Sequence, residues 1–175
     1  MNGKKILGVI PARYASTRLP GKVLADICGK PMIRHVYERA LRALCLTELV
    51  VATDDRRVFE AVRAFAGDGA AVMTSPDHPN GSSRAAEVLE RKNKEGRDLD
   101  AVINIQGDEP LLDPAMIDEV AEALFSGPDV VCSTLCRPLR DEADRSNPNA
   151  VKVVLGLNGD ALYFSRSPIP YPRST

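Results

Sequence analysis

The stretch "IPARYASTRLPGK", Ile10 to Lys22, places Arg13, Arg18 and Lys22 directly behind a short apolar run. Cations gathered where a buried strand ends suit the neutralisation of a polyphosphate. Arginine offers a planar fork of donors and lysine a compact charge, and both hold phosphate oxygens. Gly21 permits close backbone approach, and Ser16 and Thr17 add hydroxyls. The alternative for the same residues is a solvated loop with ordinary surface cations. Neither the dinucleotide fingerprint nor the P-loop pattern is present.

Two further stretches carry chemistry. "INIQGDEP" sets Gln106, Asp108 and Glu109 behind an apolar run, with Gly107 to break the strand and Pro110 to stiffen the exit. Magnesium takes one or two carboxylates and completes its octahedron with phosphate oxygens and water. Asp108 facing phosphate-binding cations therefore suits Mg²⁺; a loop or capping aspartate is the alternative. "SPDHPNGSSR" offers His78, Asn80, Gly81, Ser82, Ser83 and Arg84. A helix starting here would present backbone N–H groups to a nucleotide. His78 is either part of that site or a surface residue between prolines.

These loops need elements to hold them. Lys4–Ile10 is a continuous apolar run, as expected of a strand buried on both faces. Apolar residues at helical spacing from Met32 to Leu44 predict a helix that begins at Pro31. Further strands are predicted at Glu48–Thr53, Ala70–Thr74, Asp100–Gln106 and Asp129–Leu135. Between them, one helix starts near Asp54 and stops at Gly67, a second is capped by Ser82 or Ser83, and a third has Asp113 as its cap and Pro114 in its first turn. Near the end, two strand-like runs flank Asn158-Gly159, a favoured hairpin turn pair. Alternating strands and helices imply an α/β fold: a mostly parallel sheet covered by helices on both faces, with a late antiparallel hairpin. In such sheets ligands bind at the carboxyl ends of the strands, where all three loops emerge.

The bulk numbers exclude other classes. A chain of 175 residues suits a single domain. Net charge is −1, so no global basic field invites nucleic acid, and any anion site must be local. No apolar run is long enough for a membrane helix. Pro11 and Arg13 end the first apolar run too early for a secretory signal, so a cytoplasmic protein is expected. Cys28, Cys45, Cys132 and Cys136 form no C-x-x-C pair and read as small core residues that stay reduced.

"IPARYASTRLPGK", "DHPNGSSR", "NIQGDEP", "NPNAVKVV" and "ALYFSR", in this order, resemble the 3-deoxy-manno-octulosonate cytidylyltransferase (CMP-Kdo synthetase) family. The likeness runs along essentially the whole chain. It implies a Rossmann-like nucleotidyltransferase fold and a reaction of CTP with the acidic sugar Kdo. The products are CMP-Kdo, used in lipopolysaccharide biosynthesis, and pyrophosphate. It further implies Mg²⁺ as cofactor, CTP and Kdo as small-molecule partners, no nucleic acid or membrane partner, and a cytoplasmic homodimer.

Carried onto this sequence, the resemblance makes Arg13, Lys22 and Asp108 catalytic. Ala12, Arg13, Arg18, Lys22, Ser82 and Gln106 would bind nucleotide; Arg84, Gln106 and Arg166 would bind sugar; Asp108 would hold the metal. The chain departs from the family at Asn80-Gly81-Ser82-Ser83, where members typically read Ser-Gly-Thr and then an acidic residue. Members also continue well past Thr175, with a segment that adds a second metal carboxylate, sugar contacts and dimer surface. A chain incomplete at its C-terminus is therefore expected. A cytidylyltransferase for another acidic sugar, such as sialic acid or 8-amino-Kdo, and an inactive CTP-binding fragment are the alternatives.

Overall fold

The computed structural model describes residues 3–15 and 19–171. They fall into two compact units, divided between Ser133 and Thr134. The first is built on β1 (Ile6–Pro11), β4 (Glu48–Thr53), β5 (Ala71–Met73) and β6 (Ala101–Asn104), all parallel in the order β5-β4-β1-β6. A small hairpin of β2 (Asp26–Ile27) and β3 (Lys30–Pro31) precedes helix α1 (Met32–Ala40). Helices α2 (Arg56–Ala66), α3 (Gly81–Lys94) and α4 (Pro114–Leu124) complete this unit.

Successive side chains of β1 enter opposite cores, because strand side chains alternate faces. Ile6 and Ile10 pack with Ile33 and Val36 of α1, Val58 and Val62 of α2, and Ile117 of α4. Leu7 and Val9 pack with Ala85 and Val88 of α3. Both faces of the sheet are covered, which explains the uninterrupted apolar run of β1. The chain passes from β1 through α1 to β4 on one side, and through α3 from β5 back to β6 on the other. The strand order therefore reverses between β1 and β6.

The second unit holds α5 (Glu142–Ser146) and the antiparallel pair β7 (Lys152–Leu155) and β8 (Ala161–Ser165). The expected hairpin turn is present. The Gly159 N–H donates to Gly156 O at 3.1 Å, the Gly156 N–H donates to Asp160 O at 2.8 Å, and Gly159 has φ 90°. This is a three-residue loop closed by a left-handed glycine rather than a two-residue turn. Lys152 is only 3% exposed, and its ammonium donates to the carbonyls of Asn147 (2.9 Å), Ala150 (2.7 Å) and Arg166 (2.8 Å). It ties the loop before β7 to the residue after β8.

Several expectations are corrected. Asp129–Leu135 forms no strand, and Val131 is 91% exposed. An apolar run becomes a strand only beside a hydrogen-bonding neighbour, and this one crosses the division between the units. Helix α1 stops at Ala40, leaving Leu41 and Leu44 exposed. The cap of α2 is Asp55, whose carboxylate accepts from the Arg57 N–H at 2.9 Å, rather than Asp54. Only Cys45 is withdrawn from solvent; Cys28, Cys132 and Cys136 are exposed free thiols. The β2–β3 hairpin was not expected, because its turn is Cys28-Gly29, both at positive φ, and not an Asn-Gly type pair.

Replacing Lys152 with Met should leave three carbonyls without their donor and cost about 1–3 kcal/mol. Denaturant unfolding, with limited proteolysis at residues 147–150, would read this. Unchanged stability and protection would remove the lysine from its tying role.

Candidate nucleotide site

Parallel strands paired side by side send their following loops out of the same edge. β1 and β6 are such neighbours, with Val9 opposite Asn104. The loops after Pro11 and after Asn104 therefore emerge together, at the point where the strand order reverses. A cleft of about 250 Å³ opens there, lined by Pro11, Arg13, Lys22, Val23, Asn80, Gly81, Arg84, Gln106, Gly107 and Asp108. Crevices at this position are where α/β sheets bind ligands.

The first loop is shaped by Gly21 and Tyr14. Gly21 sits at φ 71°, and its N–H donates to Tyr14 O at 2.8 Å. A side chain at Gly21 would approach the Tyr14 ring to 3.0 Å. The Arg57 guanidinium, itself held by Asp55, stacks 3.4 Å from the centre of that ring. This clamp delivers Lys22 into the cleft at the start of a short 3-10 turn, Lys22–Leu24. Lys22 Nζ reaches Asp108 Oδ2 at 2.5 Å, so the expected meeting of the first and third loops occurs directly.

The third loop approaches as closely as it does because residue 107 is glycine. A Cβ there would lie 2.9 Å from Pro11 O, a backbone atom that cannot swing away. Arg13 lines the cleft, and its Nη2 is buried without a hydrogen-bond partner. A buried guanidinium nitrogen without a partner, on an arginine that lines a cleft, suits an anion. Arg18, with Ser16 and Thr17, lies outside the described residues.

The middle loop is organised by Asn80. Its Oδ1 accepts from the Ser83 N–H at 2.9 Å and caps α3, the place expected for Ser82 or Ser83. Asn80 and Gly81 line the cleft. Ser82 is exposed, and its Oγ accepts from Asn104 Nδ2 at 3.3 Å. Asn104 escaped the sequence reading, and its Oδ1 is buried without a partner. Its signal was only a polar residue ending an apolar strand.

Other predicted residues take less direct places. Ala12 is a fully buried core residue whose N–H donates to Ala52 O at 2.8 Å. Arg84 is 0% exposed; its Nη1 donates to Thr74 Oγ1 at 2.5 Å and its Nη2 to Asp54 Oδ2 at 3.0 Å. Asp54 is thus the buried arginine's counter-ion and not a helix cap. Gln106 is exposed on the cleft wall. Arg166 belongs to the second unit, where its Nη1 donates to Pro148 O at 2.8 Å.

His78 is structural. Its Nε2 hydrogen-bonds Glu87 Oε2, which also accepts from the Ser75 N–H at 3.1 Å, while Arg91 pairs with Oε1. Burial pushes the Glu87 carboxyl up, but the bonds from His78 and Ser75 and the Arg91 charge outweigh it, leaving the group below its ordinary range.

Asp108 is the carboxylate that a metal would use here. Among the described residues no cluster of three or more His, Cys, Asp or Glu is poised for an ion. One exposed carboxylate beside a phosphate-type cleft still fits magnesium, which draws its remaining ligands from substrate phosphate and water.

The switch-point cleft, its cations and its capped helix define an open α/β protein with an anion-type ligand site at its strand ends. The comparisons make this specific. Residues 7–175 match the family model described as Cytidylyltransferase. The chain is 54% identical over 168 residues to 3-deoxy-manno-octulosonate cytidylyltransferase of Geobacter sulfurreducens, a match spanning 96% of this chain and 64% of that protein. The protein of the same name from Escherichia coli is 49% identical, over 97% of this chain and 66% of its own length. A solved structure of CMP:2-keto-3-deoxy-manno-octonic acid synthetase complexed with CTP superposes with a TM-score of 0.83 at 46% identity, covering 97% of this chain and 67% of that one. The chain belongs to the cytidylyltransferase family. It spans about 64% of the length of these first curated relatives.

Two outcomes are expected. Gly107→Ala should force β6's loop away from Pro11 and lower stability by about 1–3 kcal/mol, read by chemical denaturation. An unchanged unfolding midpoint would show that the loop yields freely. Glu87 has a folded pKa below its unfolded one, so its contribution to stability is present above the ordinary glutamate pKa and is lost as pH falls through the folded value. The stability gap between the native chain and Glu87→Gln should therefore shrink between about pH 6 and pH 3. A gap independent of pH would contradict this.

Proposed function

We propose that this chain carries the CTP-binding part of an enzyme that transfers CMP from CTP to Kdo, giving CMP-Kdo and pyrophosphate for lipopolysaccharide biosynthesis. The contact between Lys22 and Asp108, beside the unpaired Arg13 nitrogen, is the observation that carries the reading. It joins a phosphate-binding cation and a metal-type carboxylate in one cleft. The names of the curated relatives, and the CTP complex of the structural neighbour, support the nucleotide and the sugar.

In this reaction the anomeric hydroxyl of the sugar attacks the α-phosphorus. A new P–O bond forms, the hydroxyl proton passes to solvent, the bond to the bridging oxygen of the β-phosphate breaks, and pyrophosphate leaves with the electron pair. Positioning and charge neutralisation supply most of the catalysis. Arg13 and Lys22 bind the phosphate oxygens and offset the charge that grows on the leaving group. Asn80, Gly81 and the start of α3 border the nucleotide, with Ser82 beside them; Gln106 sits on the wall facing the sugar side. Buried Arg84 joins the strand ends at Asp54 and Thr74 to the first turn of α3. Asp108 holds Mg²⁺, which when bound screens phosphate charge. Arg166 is assigned to the sugar acid, and Arg18 supports the phosphate loop. A cytoplasmic homodimer goes with this reading.

Calorimetry with CTP and Mg²⁺, followed by a pyrophosphate-release assay with Kdo, sialic acid and 8-amino-Kdo, tests it. Lys22→Ala should weaken CTP binding by about 1.5–3 kcal/mol. Asp108→Asn should preserve the fold and abolish Kdo-dependent release. Undiminished release would take Asp108 out of the metal site. CTP binding without release for any sugar would favour a nucleotide-binding fragment, and release with a different acid would reassign the acceptor.

A further inference from the structure

We propose that the Lys22 ammonium is also the resident counter-ion of Asp108, so that it competes with divalent metal for that carboxylate until nucleotide phosphate draws the lysine away. This rests on the CTP reading above. The consequence is a bias built into the cleft, by which metal enters more readily with the nucleotide than ahead of it.

The geometry sets up a competition. Lys22 Nζ lies 2.5 Å from Asp108 Oδ2. A magnesium ion on this carboxylate would need one of its oxygens at about 2.0–2.1 Å, together with room for several water or phosphate ligands around it. Ammonium and dication on one carboxylate repel each other. The two roles assigned to these residues, lysine on phosphate and aspartate on metal, are therefore better met with the pair open.

The surroundings let it open at low cost. The backbone on either side of Lys22 is fixed: its N–H donates to Leu19 O at 3.2 Å, and its carbonyl accepts from the Ala25 N–H at 3.0 Å. Only the flexible four-carbon stem has to swing. The pair is partly exposed, with the lysine side chain at 31% and the aspartate at 45%. Ion pairs in such settings bias an equilibrium by a few-fold and do not lock it. Arg13 supplies the trigger. Arg13 lines the same cleft, its buried Nη2 has no partner, and its charge attracts an anion independently of Asp108. Phosphate captured by Arg13 arrives beside Lys22 and offers the ammonium more negative oxygens than one carboxylate provides.

The test reads metal binding alone, apart from turnover. Mn²⁺, which shares the preference of Mg²⁺ for oxygen ligands, is titrated against the chain without nucleotide, and free Mn²⁺ is followed by electron paramagnetic resonance. Lys22→Met should bind Mn²⁺ about fivefold more tightly than the native chain, and Lys22→Gln should do the same. Adding Asp108→Asn to Lys22→Met should erase the gain. Arg13→Met removes a nearby positive charge that does not touch Asp108, and its Mn²⁺ affinity should stay within about twofold of native. No gain in the lysine variants, or an equal gain in Arg13→Met, overturns the proposal. Failure of the native chain to bind CTP in calorimetry would instead overturn the functional reading, because the metal-only titration does not depend on it.

Discussion

The parallel pairing of β1 with β6 is the constraint from which the site follows. Six of the residues that line the cleft, from Pro11 to Lys22 and from Gln106 to Asp108, stand on the two segments that leave these strands. The hydrogen-bonded ladder fixes the spacing of the two strand ends, and glycine at 107 leaves out a Cβ that would lie 2.9 Å from Pro11 O. Chain connection adds the rest. Because α1 and α3 carry the chain to opposite faces of the sheet, a crevice is left between β1 and β6 at their carboxyl ends.

Charge in the cleft is arranged by contrast. Arg84 is withdrawn from solvent and held at both terminal nitrogens by Thr74 and Asp54, while its Nε has no partner, so it stiffens the wall. Arg13 is partly withdrawn and has a nitrogen left without a partner. Lys22 is movable and paired with a carboxylate that has another use. One fixed, one partly unpaired and one exchangeable cation would suit the polyphosphate of the proposed function. The chain's net charge of −1 shows why these cations have to be gathered locally.

The middle loop illustrates how motif and role can separate. His78 drew attention as a titratable residue in a polar loop, yet it bonds Glu87 and pins the loop to α3. Ser82 or Ser83 was the expected cap, but Asn80, two or three residues earlier, takes that position because its carboxamide reaches the Ser83 N–H. Asn104, which the sequence left unremarked, contacts Ser82 from the neighbouring strand end. Such residues gain their roles from what folds against them, and residue type alone gave no reason to choose between them.

Local pattern was enough to read β1, β4 and their layer of helices, since period and apolar content follow directly from burial on one or both faces. It singled out Arg13, Lys22 and Asp108 as charged residues at strand exits, while a solvated loop or a capping aspartate stayed open beside the phosphate and metal readings. What local pattern could not decide was partnership. Asp129–Leu135 has a strand's composition without a strand's neighbour, Arg84 has a ligand-binder's charge but a core residue's burial, and Lys22 and Asp108 are 86 positions apart in sequence. Which groups meet depends on strand order and chain crossover, and those are settled only when distant segments compete for the same faces of one sheet.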